Sequence, residues 1–317
     1  MFRLAFDRLS PAGPQARLSV LIFHRVLPRP DPLFPGEVDA TTFDAICSWL
    51  ARWFQVLPLD EAARLMQQGR LPSRALAISF DDGYADNHDV ALPILQRHGL
   101  TATFFVATGF LDGGRMWNDT VIEAVRRCPQ AQLDLQGTPA AALGVLPLGA
   151  AAQRRQAIDR LIGAAKYLPP GARSEWVAAV AERSGAPLPG DLMMTTAQVR
   201  ALRQAGMGVG GHTVSHPILA RLDAGEMRRE IADGRTALEG ITGQRVGLFA
   251  YPNGKPGTDY TPAAVALVRE LGFDAAVSTA WGAARSGSDA FQLPRFTPWD
   301  RSRGRFAWRM ARNLMQT

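Results

Sequence analysis

Lysine and cysteine are both scarce in this chain, and each shortage excludes something. Of 35 cationic residues only Lys166 and Lys255 are lysines. The rest are arginines scattered along the sequence, so the net charge of +6 gathers into no basic stripe. No nucleic-acid-binding signature accompanies that charge, and DNA or RNA is set aside as a partner. An anionic lipid surface or a phosphate-bearing sugar suits the charge balance better. The two cysteines, Cys47 and Cys128, lie far apart within segments of helical pattern, so no disulfide framework is encoded. No stretch approaches the ~20 apolar residues that a membrane span needs. The first eleven residues lack the uninterrupted apolar core and small-residue cleavage site of a secretory signal. These absences lead to the expectation of a cytoplasmic protein. Histidine is scarce too, at five residues in 317, which makes the placement of each one informative.

What is present is organised around Ile78-Ser79-Phe80-Asp81-Asp82-Gly83-Tyr84. The apolar run from Ala75 to Phe80 has the pattern of a buried strand, and it drives straight into two carboxylates. Adjacent side chains of a strand point to opposite sides, so one carboxylate can hold a metal while the other stays free as a base. A solvated Asp-Asp-Gly turn is the plain alternative. Downstream, Met207 to Gly211 reads as a glycine-rich strand followed at once by His212-Thr-Val-Ser-His216-Pro217. Histidines at i and i+4 share a face of one helical turn and reach one ion. Two histidines and one aspartate are three ligands, which leaves positions for water and substrate as in a catalytic site.

The rest of the chain alternates. Leu18 to Val26 is an apolar strand that ends on His24. Thr42 to Phe54 has apolar residues at helical spacing, and Gln55 to Leu59 reads as a strand. Asp60 caps a helix closing at Gly69, Asp86 to His98 is helical, and Thr101 to Ala107 is the next strand. From Leu111 to about Leu192 the rhythm breaks into a mainly helical insertion opened by Trp117, with a small hairpin at Gln132 to Gln136. Strand and helix then resume, and Phe291 to Arg295 is a last edge strand, the only kind that Pro294 suits. The pattern predicts an α/β fold with a parallel sheet or barrel over residues 18–300, an insertion at about 111–192, and flanking segments 1–17 and 301–317. In the last segment Phe306, Ala307, Trp308, Met310, Ala311, Leu314 and Met315 share one arc and Arg305, Arg309 and Arg312 the other. Two readings of that arc stay open: a peripheral helix on an anionic membrane, or a closing helix packed on the barrel.

The motifs Ser79-Phe-Asp-Asp-Gly83, His212-Thr-Val-Ser-His216 and Phe249-Ala-Tyr-Pro-Asn-Gly254 resemble those of the polysaccharide deacetylases, the NodB-homology carbohydrate esterases. The resemblance runs from about Leu18 to Arg295. It implies a distorted, incomplete (β/α) barrel and removal of N-acetyl groups from an N-acetylated glycan of a bacterial polysaccharide or lipid-linked pathway. One divalent ion is implied, with zinc expected, held by Asp82, His212 and His216. Asp81 becomes the general base and the Asn253 backbone N–H the oxyanion donor, with Thr213 and Ser215 orienting the ligands. Tyr251, Pro252 and Trp117 are expected on the substrate.

The chain departs from the family pattern at three places. Ala250 stands where an arginine normally steadies the base, Asn253 replaces a tyrosine, and no histidine follows His216 to supply the usual acid. Arg295 and His24 are the candidates to replace the arginine and the acid. The losses motivate a second reading, a glycan-binding protein without turnover. An iron(II) oxygenase shares the ligand set but does not explain the paired aspartates. Nothing in the sequence fixes the oligomeric state.

Overall fold

The structure is a computed structural model that describes residues 2–298 and 300–316. Met1 and Thr317, the outermost residues of the two terminal segments, lie outside the described residues. The chain forms two compact bodies, one of residues 1–29, 38–112 and 193–317 and the other of residues 30–37 and 113–192.

The first body opens with α1 (Phe2–Leu9), β1 (Arg17–Phe23), α2 (Ala40–Trp53), β2 (Gln55–Val56), α3 (Leu59–Gln67) and β3 (Ala75–Phe80). Helix α2 follows its pattern: Phe43, Ile46, Cys47, Leu50 and Trp53 are buried, and the Asp39 side chain caps it by accepting from the Thr42 N–H. Helix α3 begins after Pro58 rather than on an Asp60 cap, and β2 is two residues long. All six residues of β3 are buried, as expected of a parallel strand covered on both faces. The stretch after it starts as a π-helical turn at Asn87–Ala91 and becomes α4 (Leu92–Arg97), where Pro93 occupies the first turn. Strand β4 (Thr103–Val106) follows.

The second body contains α5 (Trp117–Arg127), β5 (Gln132–Asp134), β6 (Val145–Pro147), α6 (Ala151–Ala165) and α7 (Pro170–Ser184). Strand β5 pairs antiparallel with β6 rather than closing a tight hairpin at Gly137. A core of its own, with Val121, Leu133, Leu146, Ile158 and Val180, holds this body together. Residues 30–37 belong to it through Leu33, buried in that core, and Asp31, which pairs with Arg126 at 2.7 Å.

The first body resumes with α8 (Thr196–Gln204), β7 (Gly208–Gly211), α9 (Ala224–Thr242), β8 (Leu248–Ala250), α10 (Pro262–Glu270), β9 (Ala275–Val277), β10 (Ala284–Arg285) and α11 (Arg303–Met315). The strands form a curled, mainly parallel sheet in the order β10-β1-β3-β4-β7-β8-β9, with β2 beside β3 and only β10 antiparallel. The expected edge strand at 291–295 is instead a 3₁₀ turn, Ala290–Gln292, followed by single bridges that join Leu293 to Val277 and Phe296 to Leu21. This segment spans the gap between β9 and β1. Pro294 has no N–H to donate and sits between the bridging residues, which explains why no continuous ladder forms. Helix α11 turns its arc inward: Phe306, Ala307, Met310 and Leu314 are buried in the core.

Candidate functional site

Strand β3 delivers its next two residues into the interior: Asp81 is 3% and Asp82 7% exposed. The Asp81 N–H still donates to the Phe23 carbonyl at 2.9 Å, and then the chain turns, with Asp82 at φ 76° and Gly83 at φ 91°. A non-glycine residue in that region stores strain of order 1 kcal/mol or more and persists only where its surroundings hold it. Here the Asp82 carbonyl accepts from Ala107 at 3.2 Å and the Gly83 carbonyl from Met194 at 2.9 Å. A Cβ at Gly83 would lie 2.9 Å from Val106 Cγ1, so the turn requires glycine twice over. The turn sends the two carboxylates to different partners.

Asp81 meets Arg295. Nη1 donates to Oδ1 and Nη2 to Oδ2, both at 2.7 Å, and Arg295 is 1% exposed. The guanidinium is fixed in turn, with Nε donating to the Ser278 carbonyl at 2.8 Å and Nη1 also to Ser79 Oγ at 3.2 Å. Arg295 is thus the charged partner of Asp81. Burial works against ionisation of Asp81, but Arg295 outweighs it and holds the carboxyl below its usual range.

Asp82 faces two imidazoles. The segment 212–216 is not the helical turn that the i, i+4 spacing suggests: it is an irregular loop with Thr213 at φ 65° and His216 at φ 54°. Pro217 disfavours a right-handed helical conformation at His216, which accounts for the difference. The loop is pinned from α9. Glu230 Oε2 accepts from the Val214 and Ser215 N–H groups at 2.9 and 2.8 Å, and Ser215 Oγ donates to Oε1 at 2.6 Å. One turn on, Gly234 lets the loop approach, since a Cβ there would lie 2.9 Å from the Thr213 carbonyl carbon. Thr213 Oγ1 donates to the His212 carbonyl and accepts from the His216 N–H at 3.1 Å. Thr213 and Ser215 therefore shape the loop backbone, while the His212 ring is oriented by Nδ1–H donating to the Ala250 carbonyl at 2.7 Å. That bond leaves Nε2 to face Asp82.

Both Nε2 atoms stand 3.4 Å from Asp82 Oδ1, and the ligand atoms of the three residues all lie within 4.8 Å of one another. Oδ1 is buried and has no hydrogen-bond partner among the described residues. A stable fold rarely leaves such an atom without a purpose. Two donors each about 2.1 Å from a shared tetrahedral ion stand about 3.4 Å apart, so the residues present fit a metal. The electrostatics agree. Burial disfavours a positive charge on His212, but Asp82 and Asp81 outweigh it and raise the imidazole above its usual value. A field that favours a proton there also favours a cation. Burial keeps His216 neutral, pushing it down to about 4, and burial of Asp82 is outweighed by the two histidines, which lower its carboxyl.

The other expected residues divide. His24 lies exposed at the end of β1, close enough for its charge to act on both carboxylates. Its segment is held by residues that the sequence did not single out: Asn87 Nδ2 donates to the His24 carbonyl at 2.8 Å, and Asp86 accepts from Arg25 Nε at 2.8 Å and the Val26 N–H at 2.9 Å. Asn253, at φ 58° in the turn after β8, accepts at its carbonyl from Thr279 Oγ1, and its N–H meets no acceptor among the described residues. Tyr251 and Pro252, expected on the substrate, are instead buried. The Tyr251 ring stacks 3.9 Å from that of Tyr260 and its hydroxyl donates to the Phe291 carbonyl. Trp117 belongs to the second body, where the Arg173 guanidinium lies over its ring. Glu230 and Gly234 had a legible signal, a carboxylate and a glycine four apart on one helix face, though nothing in the sequence tied them to the histidine loop.

A curled, mainly parallel sheet carries the Asp-His-His cluster at its strand exits, an arrangement that could hold one metal ion. The polysaccharide deacetylase family model matches residues 68–133 and 174–276, just over half of the chain, and the protein belongs to that family. Among curated proteins, YxkH of Bacillus subtilis (strain 168), provisionally named a polysaccharide deacetylase, is 21% identical over 88% of this chain and 71% of its own length. The fold is also that of the deacetylase PplD of Streptococcus pyogenes, with a TM-score of 0.60 and 18% identity over 89% of this chain and 92% of that one. IcaB from Ammonifex degensii likewise gives 0.60, with 19% identity over 96% and 98% of the two chains.

Proposed function

We propose that this chain is a metal-dependent N-deacetylase acting on an N-acetylated sugar of a bacterial polysaccharide or lipid-linked glycan pathway. The observation that carries the reading is the buried, unpartnered Asp82 Oδ1 with both histidine Nε2 atoms at 3.4 Å. Asp82, His212 and His216 would hold a divalent ion, and their nitrogen and oxygen donors suit zinc. When bound, such an ion polarises the amide carbonyl and makes a water acidic. The chain's own residues do the rest. Asp81 accepts the proton of the attacking water, and Arg295 fixes the plane of that carboxylate and keeps it charged in a buried place. The Asn253 N–H donates to the carbonyl oxygen as it gains charge. His24, exposed at the exit of β1, gives a proton to the departing amine. The products are acetate and the free amino sugar. A cytoplasmic site of action belongs to the same proposal and is supported by Cys47 and Cys128, both buried and both free thiols.

The test is acetate release from a panel of N-acetylated oligosaccharides before chelation, after it, and after zinc is returned. Release that chelation abolishes and zinc restores supports the reading. Release that chelation leaves untouched, or none from any substrate with folded and metal-loaded protein, overturns it.

A further inference from the structure

The opposite ends of the strands carry a surface that deacetylation does not use. Helices α1 and α11 pack on each other, and α11 packs on β1. The Arg74 N–H donates to the Ser10 carbonyl at 2.9 Å, Asn313 Nδ2 to Ser19 Oγ at 3.1 Å, and the Arg17 guanidinium to the Leu314 carbonyl. On its inner side α11 seats Phe306 against Trp49, ring centroids 5.4 Å apart. Its outer side keeps Arg305, Trp308, Arg312 and Met315 exposed at i, i+3, i+7 and i+10, one stripe of the helix.

Two features of this surface point to a ligand. Among the described residues of the first body, four large apolar side chains are exposed, Leu4, Trp281, Trp308 and Met315. Leu4 is on α1, Trp308 and Met315 are on α11, and Arg312 lies between the rings of Trp281 and Trp308 at 5.9 and 5.7 Å. Leu4 at 70% and Trp308 at 62% exposure are large apolar groups left in water. Beside them is a groove of about 450 Å³ lined by Phe2, Arg3, Arg52, Trp53, Arg303 and Gly304. It has an aromatic floor and three arginines; among the described residues no carboxylate lines it and none of the three is in an ion pair.

We propose that this face docks the protein on an anionic phospholipid surface. Leu4, Trp308 and Met315 enter the boundary between headgroups and acyl chains, Arg305 and Arg312 meet the surrounding phosphates, and the groove receives one phosphate among its three arginines. Protruding leucine and methionine have no use against a nucleic acid or a polyanionic glycan, whereas beside arginine they match a lipid interface. The carboxylates and histidines lie at the other ends of the same strands, so docking holds the catalytic mouth toward the aqueous side. The face therefore acts as a tether and does not feed a lipid-embedded substrate into the site. The proposal stands apart from the deacetylase reading, since it uses none of the site residues.

Co-sedimentation of the full chain with vesicles tests it, using phosphatidylcholine alone and phosphatidylcholine mixed with phosphatidylglycerol. Binding should require phosphatidylglycerol, weaken as salt rises, and fall about fivefold for each of Arg305→Gln and Arg312→Gln. The combined variant Arg305→Glu, Trp308→Ser, Arg312→Glu should lose binding while its circular dichroism and melting curve stay those of the parent. No binding by the folded parent overturns the proposal, as does equal binding to both vesicle types. A change of oligomeric state in the combined variant with no change in vesicle binding also overturns it and makes the face a contact between copies.

Discussion

The two ends of the first body's strands differ in where they keep charge and backbone strain. At the C-terminal ends, Asp81, Asp82, His212 and Arg295 are all buried, and the turns leaving β3, β7 and β8 hold Asp82, Thr213, His216 and Asn253 at positive φ. These are four of the six non-glycine residues with such backbone among those described. At the N-terminal ends the arginines lie outside and aromatic rings pack within. Arg74, at φ 56°, is the exception there, paired with Asp7 at 2.5 Å. One end is stable by packing. The other is held in shape against its own strain, as expected where geometry serves chemistry.

Substitutions at the strained end should separate metal binding, chemistry and stability. The largest effect is expected from His216→Ala or Asp82→Asn, each of which should reduce bound metal to background and acetate release below detection. Asp81→Asn should keep the metal and lower acetate release about 10²–10⁴-fold; metal analysis beside single-turnover rates checks it, and a near-normal rate would make Asp81 structural. Arg295→Met leaves the buried Asp81 carboxylate unpaired and should destabilise the protein by about 3–5 kcal/mol in urea unfolding. Gly83→Ala puts a Cβ against Val106 on a left-handed backbone and should cost about 1–3 kcal/mol. Smallest is Asp44→Asn on α2, where a half-exposed carboxylate accepts from Arg97 at 2.7 Å and His98 at 2.8 Å. Those hydrogen bonds, that of Arg97 first, lower the Asp44 carboxyl in the folded state. A lowered acid contributes stability above its unfolded pKa of about 3.9 and loses it as pH falls through the folded value. The variant should therefore lose at most about 1 kcal/mol at pH 7 and show no difference from the parent in strong acid.

The part of the site legible in the sequence is the part that short spacing carries. Asp81, Asp82, His212 and His216 stood out because strand exits and histidine scarcity mark them. Arg295 was legible as the one arginine ending a short strand, although its segment proved to be a bridge across the sheet. The conformation of the histidine loop was misread because i, i+4 spacing suits a helix and a loop alike, and Pro217 was the clue that decided between them. Asp86 and Asn87 were invisible as site residues, and the Glu230–Gly234 spacing could not be tied to the histidine loop, because these residues act on backbone that only the fold brings beside them. Residues 30–37 escape a local reading for a similar reason: Leu33 finds its core beyond the reach of any local pattern. The arc of α11 could pack or bind, and only the sheet behind it shows that Phe306, Met310 and Leu314 are taken while Trp308 and Met315 remain.

The central claim is that Asp82, His212 and His216 share one ion while Asp81 stays off it, and anomalous diffraction at the zinc edge tests this most directly. Crystals grown with zinc should give one strong peak about 2.0–2.2 Å from Asp82 Oδ1, His212 Nε2 and His216 Nε2, with Asp81 still gripped by Arg295. A peak bonded to Asp81, or none at these three residues in zinc-loaded protein, would contradict the account.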